Sequence, residues 1–396
     1  MTEQLISPPP SVPPGLKGVQ VTDTTIGDVR GSEGFYHYRQ YSATDLAARR
    51  SLEDVWCLLF DGALPRSAEE TDRFAREVAA ARSVPAGVAA LLPGVADASR
   101  PGGALDGLRS ALSLYGSAKG MRPLWDLSPD ERRRDLLAIA ATTPVLVAAL
   151  HRLARGEEPV GPDPGLGHAA NYLRMVTGRT PDPVSARALE QYLMLTVDHG
   201  FNSSTFTARV IASTGADAAA AAVGALGALS GPLHGGAPSR ALDTLDAIGR
   251  ADRAEPYVRD LLSRGERIMG FGHAVYRTDD PRSVMLRDVA LRLGGDLAEL
   301  AVEVEGTVVR LLAELRPGRP LYTNVEFYAG VVMHACGLPR EMFTPTFAVS
   351  RVIGWCANVA EQAAERQLIR PAARYVGPPP PVPVPQLQPV GAPSPA

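Results

Sequence analysis

Apolar residues recur at the three- and four-residue spacing of an α-helix through most of this chain, starting at Ala43. The pattern is clearest in residues 188–197, 302–315, 325–335 and 347–359. Only residues 19–24 and 35–41, ahead of Ala43, have the composition of short strands. Because no later segment alternates apolar and polar residues over a sustained length, the sequence predicts an all-α fold.

Proline-rich segments bracket the helical part of the chain. Residues 7–14 precede it, and residues 377–396 (GPPPPVPVPQLQPVGAPSPA) follow it. Proline fixes φ and has no backbone N–H, so such segments form neither helices nor strand ladders. We therefore expect a loose leader over residues 1–14 and a flexible tail over residues 377–396. The rest of the 396 residues is long enough for one large domain and a smaller one.

Residues 216–229 (ADAAAAAVGALGAL) are almost all small or apolar. Small side chains let helices approach each other closely, so we expect this helix to be buried on all sides. The burial could lie in the core of one chain or in a subunit interface, and the sequence leaves both open.

Charge and cysteine content exclude several classes of protein. The formal net charge of −3 offers no strongly basic face for a nucleic acid. Cys57, Cys336 and Cys356 are scattered without a CxxC pair, so neither a disulfide framework nor a zinc site is expected. The N-terminus lacks signal-peptide features, and the most apolar stretch, residues 136–150, is shorter than the roughly 18 residues of a membrane span. We expect a cytoplasmic protein without nucleic-acid or membrane partners.

Three histidines stand in unusual surroundings. His199 lies in VDHGFNSSTF, His234 in GPLHGGAP and His273 in MGFGHAVYR, the last two beside glycines on predicted loops between helices. Glycine next to a polar side chain lets a ligand approach the backbone. A single histidine is more often a satisfied core or capping residue, but three such loops in one chain favour a site. A metal site is disfavoured, because no HxxxH or HExxH pair occurs.

Several arginines and one glutamate could also contribute to a site. Arg282 ends YRTDDPR, Arg351 lies in FAVSRVIGW and Arg370 in QLIRPAARYVG. An arginine on an apolar helix must meet an anion, either an internal carboxylate or a carboxylate of a substrate. Both alternatives stay open for Arg351, and the internal one is favoured for Arg370. Glu326, in TNVEFYAGVV, is either an acid at a helix N-terminus or a catalytic base.

These segments together resemble the citrate synthase family over residues 15–377. The resemblance rests on seven stretches that follow the family's order and spacing: GLKGVQVTDTTIGDVRG, LMLTVDHGFNSSTFTARVIAST, GALSGPLHGGA, IMGFGHAVYRTDDPR, NVEFYAGVV, MFTPTFAVSRVIGW and QLIRPAARYVGP. It implies a two-domain helical fold, with a large domain over residues 15–235 and 338–376 and a small domain over residues 236–337 that closes over the substrates. It also implies an obligate homodimer and no metal or other cofactor.

The resemblance further implies a Claisen-type condensation of a short acyl-CoA, acetyl-CoA or propionyl-CoA, with oxaloacetate or a similar 2-keto acid. CoA is released, as in the citrate-forming step of the tricarboxylic acid cycle. The methyl proton of the thioester is very weakly acidic, so a base and an oxyanion donor must act together. In the family an aspartate is the base, and two histidines support the thioester oxygen and the keto oxygen.

Matching motifs carry the family's functional residues onto this chain. His234 would lie at the thioester oxygen, and His273 would face the keto oxygen. The carboxylates of the keto acid would bind His199, Arg282 and Arg351, with Arg370 reaching in from the other subunit. The CoA adenine would rest on the backbone of a loop formed by Ile268, Met269, Gly270, Phe271 and Gly272. The CoA phosphates would meet Arg277 and Arg319.

The base position departs from the family pattern. Glu326 follows Asn324 and Val325, where the family reads Asn-Val-Asp. The extra methylene moves the carboxylate by about an ångström, a displacement that can cost about a hundredfold in rate. A second and less important difference from the family pattern is Gln40 in HYRQY, where relatives usually have glycine.

Three functions therefore remain open at this point. The chain could be a citrate or 2-methylcitrate synthase whose backbone accommodates Glu326. It could be a relative tuned to another acyl-CoA, keto acid or reaction, for example in specialised metabolism. It could also be a non-catalytic dimer that binds CoA esters or citrate. The third is disfavoured, because His199, His234, His273, Arg282 and Arg351 all match the family pattern.

Overall fold

The structure is a computed structural model that describes residues 12–385 with a few interior gaps. Gly236, Arg267, Ala274 and residues 316–320 lie outside it, and only the backbone is described for residues 237–240. The predicted tail beyond residue 385 and most of the predicted leader therefore lie outside the described residues, as does Arg319.

Helices account for most of the described chain, which confirms the predicted all-α class. In chain order they are α1 Ala43–Arg49, α2 Leu52–Asp61, α3 Ala68–Ala81, α4 Ala86–Ala98, α5 Ala104–Ala118, α6 Pro129–Ala154, α7 His168–Thr177, α8 Pro183–Thr196, α9 Ser203–Ala212, α10 Ala218–Leu229, α11 Ala237–Ile248, α12 Ala254–Ser263, α13 Pro281–Leu293, α14 Asp296–Leu315, α15 Val325–Ala335 and α16 Phe343–Glu365. Short 3₁₀ turns occupy Pro14–Leu16, Leu124–Asp126, Ala251–Arg253 and Arg340–Met342.

One small antiparallel sheet precedes the helices, in the order β1 Gly27–Arg30, β2 Phe35–Tyr38 and β3 Tyr41–Ser42. The predicted strand over residues 35–41 is confirmed in part, because Arg39 adopts a φ of 48° and turns the chain after β2. The predicted strand over residues 19–24 is wrong. Val19 and Val21 are exposed there, and Thr24 bonds the Glu361 carboxylate instead of a neighbouring strand.

Helix α16 forms the centre of the core. It is buried along nearly its whole length and packs against α6, α8, α9 and α10. Helices α11 to α15 pack mainly against one another, and α13 and α15 also touch α8. This grouping follows the predicted division into a large and a small domain, whose boundaries stay a prediction.

Helix α10, predicted to be buried on all sides, is buried on only part of its surface within one chain. Its buried side packs against α5 and α9 at very close range. A Cβ added at Gly116 would come within 2.3 Å of the Ala219 Cβ, and one at Gly224 within 2.1 Å of Ile211. Gly227 is exposed, and Val223, Gly224 and Ala228 are partly exposed, so the sequence pattern reflects close packing without complete enclosure in one chain.

Helix α6 is long and apolar enough by composition to cross a membrane, and it extends well beyond the predicted apolar stretch. However, 78% of its most apolar window is buried inside the protein. Such burial is typical of a core helix, which explains the hydropathy without a lipid environment.

Capping side chains fix the start of the helices that follow the histidine loops. Asn202 accepts the N–H of Thr205 at the start of α9. Asp280 accepts the N–H of Arg282 at the start of α13, and Asn324 accepts that of Glu326 at the start of α15. Each cap satisfies an otherwise unpaired N–H, and two of the capped N–H groups belong to the predicted site residues Arg282 and Glu326.

Candidate active site

His273 and Arg282 meet at the start of α13. The N–H groups of Val275 and Tyr276 donate to Nδ1 of His273 at 2.9 and 3.0 Å, which places the proton of the neutral ring on Nε2. Nε2 in turn lies 3.2 Å from Nη2 of Arg282. Two donors thus lie side by side, and an oxygen atom of a ligand that bridges them could accept from both.

Arg282 also has an internal counter-ion. Its Nε and Nη2 donate to the two carboxylate oxygens of Asp280 at 3.0 and 2.8 Å, and both residues are buried. The internal carboxylate that the sequence left open therefore exists for Arg282. The bidentate pair fixes the plane of the guanidinium, while Nη2 still faces His273.

His199 completes a cluster of rings beside this pair. Its Nε2 lies 2.9 Å from the hydroxyl of Tyr276. Its ring centre is 5.8 Å from that of His273 and 5.5 Å from that of Tyr36. The loop between α8 and α9 and the loop before α13 therefore bring two of the predicted histidines into contact.

His234 lies on the loop between α10 and α11 and is held from the large-domain side. Its Nε2 is 2.8 Å from Oγ of Ser204, which also accepts from Nε1 of Trp355 at 3.1 Å. The same oxygen lies 2.8 Å from Oδ1 of Asn202. Because Ser204 has one proton to donate, rotation of its hydroxyl decides which ring nitrogen of His234 is protonated.

Arg351 is the buried arginine without a carboxylate partner at this site. Its Nε donates to the carbonyl of Thr196 at 2.7 Å, and its guanidinium lies 4.6 Å from the ring centre of Phe347. Within the described chain its two terminal nitrogens have no hydrogen-bond acceptor, and no carboxylate lies within ion-pair distance of them. A buried cation left in this state favours the alternative of a substrate carboxylate.

Glu326 occupies the second position of α15. Burial raises the pKa of its carboxyl to about 7; the positive charges of Arg282 and Arg351 lower it, and Asp280 raises it. No side chain or backbone N–H in the described residues donates to this carboxylate. A carboxylate with a pKa near neutral pH and no donor is a suitable general base.

The predicted CoA loop is fastened to the strand-like segment just before Glu326. Gly272 donates to the Tyr322 carbonyl at 2.8 Å, and the N–H of Asn324 donates to the Gly270 carbonyl at 2.9 Å. The side-chain amide of Asn324 adds a bond to the Gly272 carbonyl at 3.0 Å. Gly270 and Gly272 both have a φ near +87°, a conformation that favours glycine. The loop and the base therefore share one support.

The remaining residues of this loop are Ile268, which is buried, and Met269 and Phe271, which are half-buried. Phe271 stacks edge-on against Phe327, with ring centres 5.1 Å apart. The loop therefore has an apolar anchor on α15 in addition to its backbone bonds.

Two other predicted residues do not contact this cluster within one chain. Arg277 is exposed, and its backbone N–H donates to the carbonyl of Gly31 at 2.9 Å. Arg370 is exposed on the extended segment after α16. That position is the one expected if Arg370 acts in a neighbouring subunit, but one chain cannot bring it into its own site.

All three site histidines are held neutral. Burial, followed by the positive charge of Arg282, lowers the pKa of His273 to about 4. Burial and Arg351 lower that of His234 to about 4. Burial also lowers the pKa of His199 well below its ordinary value. The site thus combines neutral imidazole donors, two arginines and a carboxylate that can accept a proton.

The family of the chain follows from a comparison with known proteins. A family model described as the C-terminal domain of citrate synthase matches residues 15–372. The chain belongs to the citrate synthase family. A citrate synthase of Deinococcus radiodurans is 36% identical to it, over 92% of this chain and 95% of the relative.

Solved citrate synthases also share its fold. The enzyme from Thermotoga maritima matches with a TM-score of 0.80 and 34% identity, covering 92% of this chain and 95% of that one. The enzyme from Thermoplasma acidophilum, solved in a ternary complex with carboxymethyl coenzyme A and oxaloacetate, matches with a TM-score of 0.85 and 27% identity. That match covers 95% of this chain and 98% of the other. The predicted two-domain helical fold is therefore consistent with the fold of the family.

Sequence reasoning missed several residues of this citrate synthase-family site. Tyr276, Asp280 and Ser204 each contact a predicted residue, and Trp355 contacts Ser204. Tyr276 and Asp280 were already inside the motif IMGFGHAVYRTDDPR, so their proximity to His273 was the available signal. Trp355 gave none, because it reaches Ser204 from 151 residues along the chain.

Proposed function

We propose that this chain catalyses the condensation of acetyl-CoA with oxaloacetate to citrate and CoA. The observation that carries the proposal is the placement of Glu326, free of any donor in the described chain, in the field of Arg282 and Arg351. Such an arrangement has a base for a weak carbon acid beside cations for a dicarboxylate. Family membership and the ligands named for the Thermoplasma acidophilum complex support it.

Oxaloacetate would bind first to the cations. The free terminal nitrogens of Arg351 would hold one carboxylate in a fork, with Arg282 and His199 available to the other. The point between Nε2 of His273 and Nη2 of Arg282 would then take the keto oxygen. Donors at that oxygen polarise the carbonyl and stabilise the alkoxide that forms when its carbon is attacked.

Glu326 would remove a proton from the methyl group of acetyl-CoA. With the Ser204 hydroxyl turned towards Nε2 of His234, the proton of that ring lies on Nδ1 and can be donated to the thioester oxygen. The enol then attacks the keto carbon, and His273 supplies a proton to the new alkoxide. Water finally cleaves the thioester of citryl-CoA, which gives citrate and free CoA.

The CoA and subunit contacts are part of the same proposal. The loop Ile268 to Gly272 would hold the adenine, and Arg277 and Arg319 would meet the phosphates. A homodimer would bring Arg370 of one subunit to the site of the other. The partly exposed face of small residues on α10 supports such an interface. We place the enzyme in the cytoplasm and propose no resident metal or cofactor.

A second candidate follows from the length of Glu326. Its carboxylate extends one methylene further than the aspartate of the family, so it could reach a differently placed carbon. Propionyl-CoA, which yields 2-methylcitrate, or another acyl-CoA and keto acid in specialised metabolism would then be the preferred pair. One methylene in a pocket discriminates only about 10- to 200-fold, so the preference is expected to be graded.

The test is a thiol-release screen of purified protein with acyl-CoAs of increasing length against several 2-keto acids. Release from acetyl-CoA that depends on oxaloacetate supports the first proposal. Turnover with another pair, and none with acetyl-CoA and oxaloacetate, supports the second candidate. A rise in citrate formation in Glu326→Asp would show that the native chain is tuned away from citrate.

The non-catalytic alternative has its own test in the same screen. It requires that no CoA ester be consumed at a rate that Glu326→Gln abolishes. Any such consumption excludes it.

A further inference from the structure

One buried carboxylate, that of Asp280, bonds to two parts of the site. Its Oδ1 accepts the backbone N–H and the Nε of Arg282, both at 3.0 Å. Its Oδ2 accepts Nη2 of Arg282 at 2.8 Å and the backbone N–H of Val325 at 3.1 Å. Val325 is the first residue of α15 and the direct neighbour of Glu326. A single side chain therefore links the proposed substrate arginine to the helix of the proposed base.

The arrangement exceeds what a helix cap or an ion pair requires. Capping of α13 uses one bond to Oδ1, and a bidentate pair with Arg282 uses two more. The bond to Val325 joins a second helix that starts 45 residues further along the chain. Asp280 is also 1% exposed, so its charge acts in a desolvated setting where it is felt strongly.

The adjacent residue shows that this role is specific to one aspartate of the TDDP sequence. Asp279 is exposed, and its side chain makes no hydrogen bond or ion pair in the described chain. Asp279 and Asp280 are thus neighbours of the same residue type in different surroundings, so a substitution at Asp279 is a matched control for one at Asp280.

We propose that Asp280 is a positioning residue that holds Arg282 and the start of α15 in one arrangement, so that the substrate carboxylate and the base face each other. The proposal rests on the proposed function for its catalytic meaning. Asp280 itself touches no reacting atom, because its four bonds all go to Arg282 and Val325. It acts through these partners and through its charge.

The negative charge of Asp280 raises the pKa of Glu326. The groups that face Glu326 are Asp280 and Arg282 from the start of α13, Arg351 from α16 and Tyr192 from α8. Asp280 opposes ionisation of Glu326, whereas Arg282 and Arg351 favour it. Removal of the Asp280 charge leaves both arginines unopposed, so the pKa of Glu326 is expected to fall. A role confined to folding would move no pKa.

The primary experiment compares Asp280→Asn with Asp279→Asn in the full chain. The pH dependence of kcat/KM for acetyl-CoA would be measured by thiol release at saturating oxaloacetate. In Asp280→Asn we expect the acidic limb to move down by roughly one pH unit, the lower end of the effect of one nearby charge. We also expect the KM for oxaloacetate to rise about tenfold, because Arg282 loses its anchor. Asp279→Asn should match the wild type in both.

A second measurement does not depend on turnover. Unfolding free energies of wild type and Glu326→Gln, and of the same pair carrying Asp280→Asn, would be compared across pH. The stability difference within each pair opens near the unfolded-state pKa of glutamate, and the pH at which it stops growing reports the folded-state pKa of Glu326 in that background. The proposal requires a lower value in the Asp280→Asn background. Equal values overturn it, even if the wild type releases thiol.

Two further outcomes are separable. If the Asp280→Asn variant does not fold, the Arg282→Gln variant is compared with the double variant Arg282→Gln/Asp280→Asn. In this background the loss of Asp280 leaves no arginine unpaired beside it. The added change must again lower the pKa of Glu326, and no change overturns the proposal. If the wild type neither releases thiol nor binds oxaloacetate in calorimetry, the proposed function fails, whereas the unfolding comparison still decides the coupling of Asp280 to Glu326.

Discussion

Arg209, on α9, and Arg351, on α16, are both buried, but they have very different partners. Arg209, on α9, donates to Gln362 at 3.0 Å and to Glu361 at 2.6 Å, and lies 3.5 Å from Glu365. Arg351 has one backbone carbonyl and one aromatic ring. One region of the molecule therefore holds its buried cation in direct ion pairs, whereas Arg351 has only the longer-range attraction of Asp198.

The carboxylates of the two regions differ in the same way. Glu361 accepts from Arg209 and from the backbone and side chain of Thr25. Burial by itself raises the pKa of Glu361, but these hydrogen bonds outweigh it and the pKa is lowered. Glu326 has no such donors, and burial raises its pKa to about 7. Arg209 and Glu361, which are paired with each other, are suited to holding the fold. Arg351 and Glu326, which lack such partners, are suited to binding and reacting with a ligand.

The largest expected effect concerns the two carboxylates. Glu326→Gln should lower kcat/KM in the thiol-release assay by roughly 10³-fold, since general-base catalysis contributes about 10² to 10⁴. Glu361→Gln, which changes the carboxylate paired with Arg209, should leave kcat/KM within a few-fold of wild type under conditions where the variant is folded. Comparable losses of kcat/KM in Glu326→Gln and Glu361→Gln would contradict the view that only the region of Glu326 takes part in the reaction.

The next effect is on stability. Arg209→Gln removes the buried cation that pairs with the half-buried Glu361 and the exposed Glu365, so we expect the free energy of unfolding in urea to fall by about 3 kcal/mol. Arg351→Gln removes a cation that makes no direct ion pair and is only attracted by Asp198 at longer range, so its free energy of unfolding should change by no more than about 1 kcal/mol. If Arg351→Gln lost more unfolding free energy than Arg209→Gln, Arg351 would be the structural arginine, contrary to this prediction.

Substrate binding should respond in the opposite order. Arg351→Gln is expected to raise the KM for oxaloacetate about a hundredfold, because a buried charge pair with the substrate carboxylate is lost. Arg351→Lys should recover only part of this, since lysine cannot form the bidentate fork. An unchanged KM in Arg351→Gln would mean that the free guanidinium nitrogens do not meet the keto acid.

The smallest effect is a pH-dependent gain in stability. The pKa of Glu326 is raised in the folded protein, so the folded state holds a proton that the unfolded state releases, and stability falls as pH rises from about 4.5 to about 7. Glu326→Gln should therefore be the more stable protein above pH 7, by at most about 3 kcal/mol. The gain should vanish near pH 4. Thermal unfolding across this range measures it, and a gain that is constant with pH would contradict the raised pKa.

The sequence predicted much of this molecule because the decisive signals are local or repeated. Helical spacing over residues 325–335 reproduced α15 to the residue. The motif around His273 placed a histidine, a tyrosine and an arginine within ten residues, and the structure keeps them in contact. The strand over residues 19–24 failed because a strand requires a partner, and no local pattern states whether one is present.

What the sequence determined by itself is the helical class, the helix that carries Glu326, and the motifs that carry His199, His234 and His273. Only the tertiary structure decided which charges are neutralised. Arg282 pairs with Asp280 two residues away, and Arg209 pairs with Glu361 more than a hundred residues away. Arg351 has no carboxylate within ion-pair distance in the described chain. The physical reason is that propensity and spacing act over a few residues, whereas the free energy of a buried charge depends on every group that the fold brings near it.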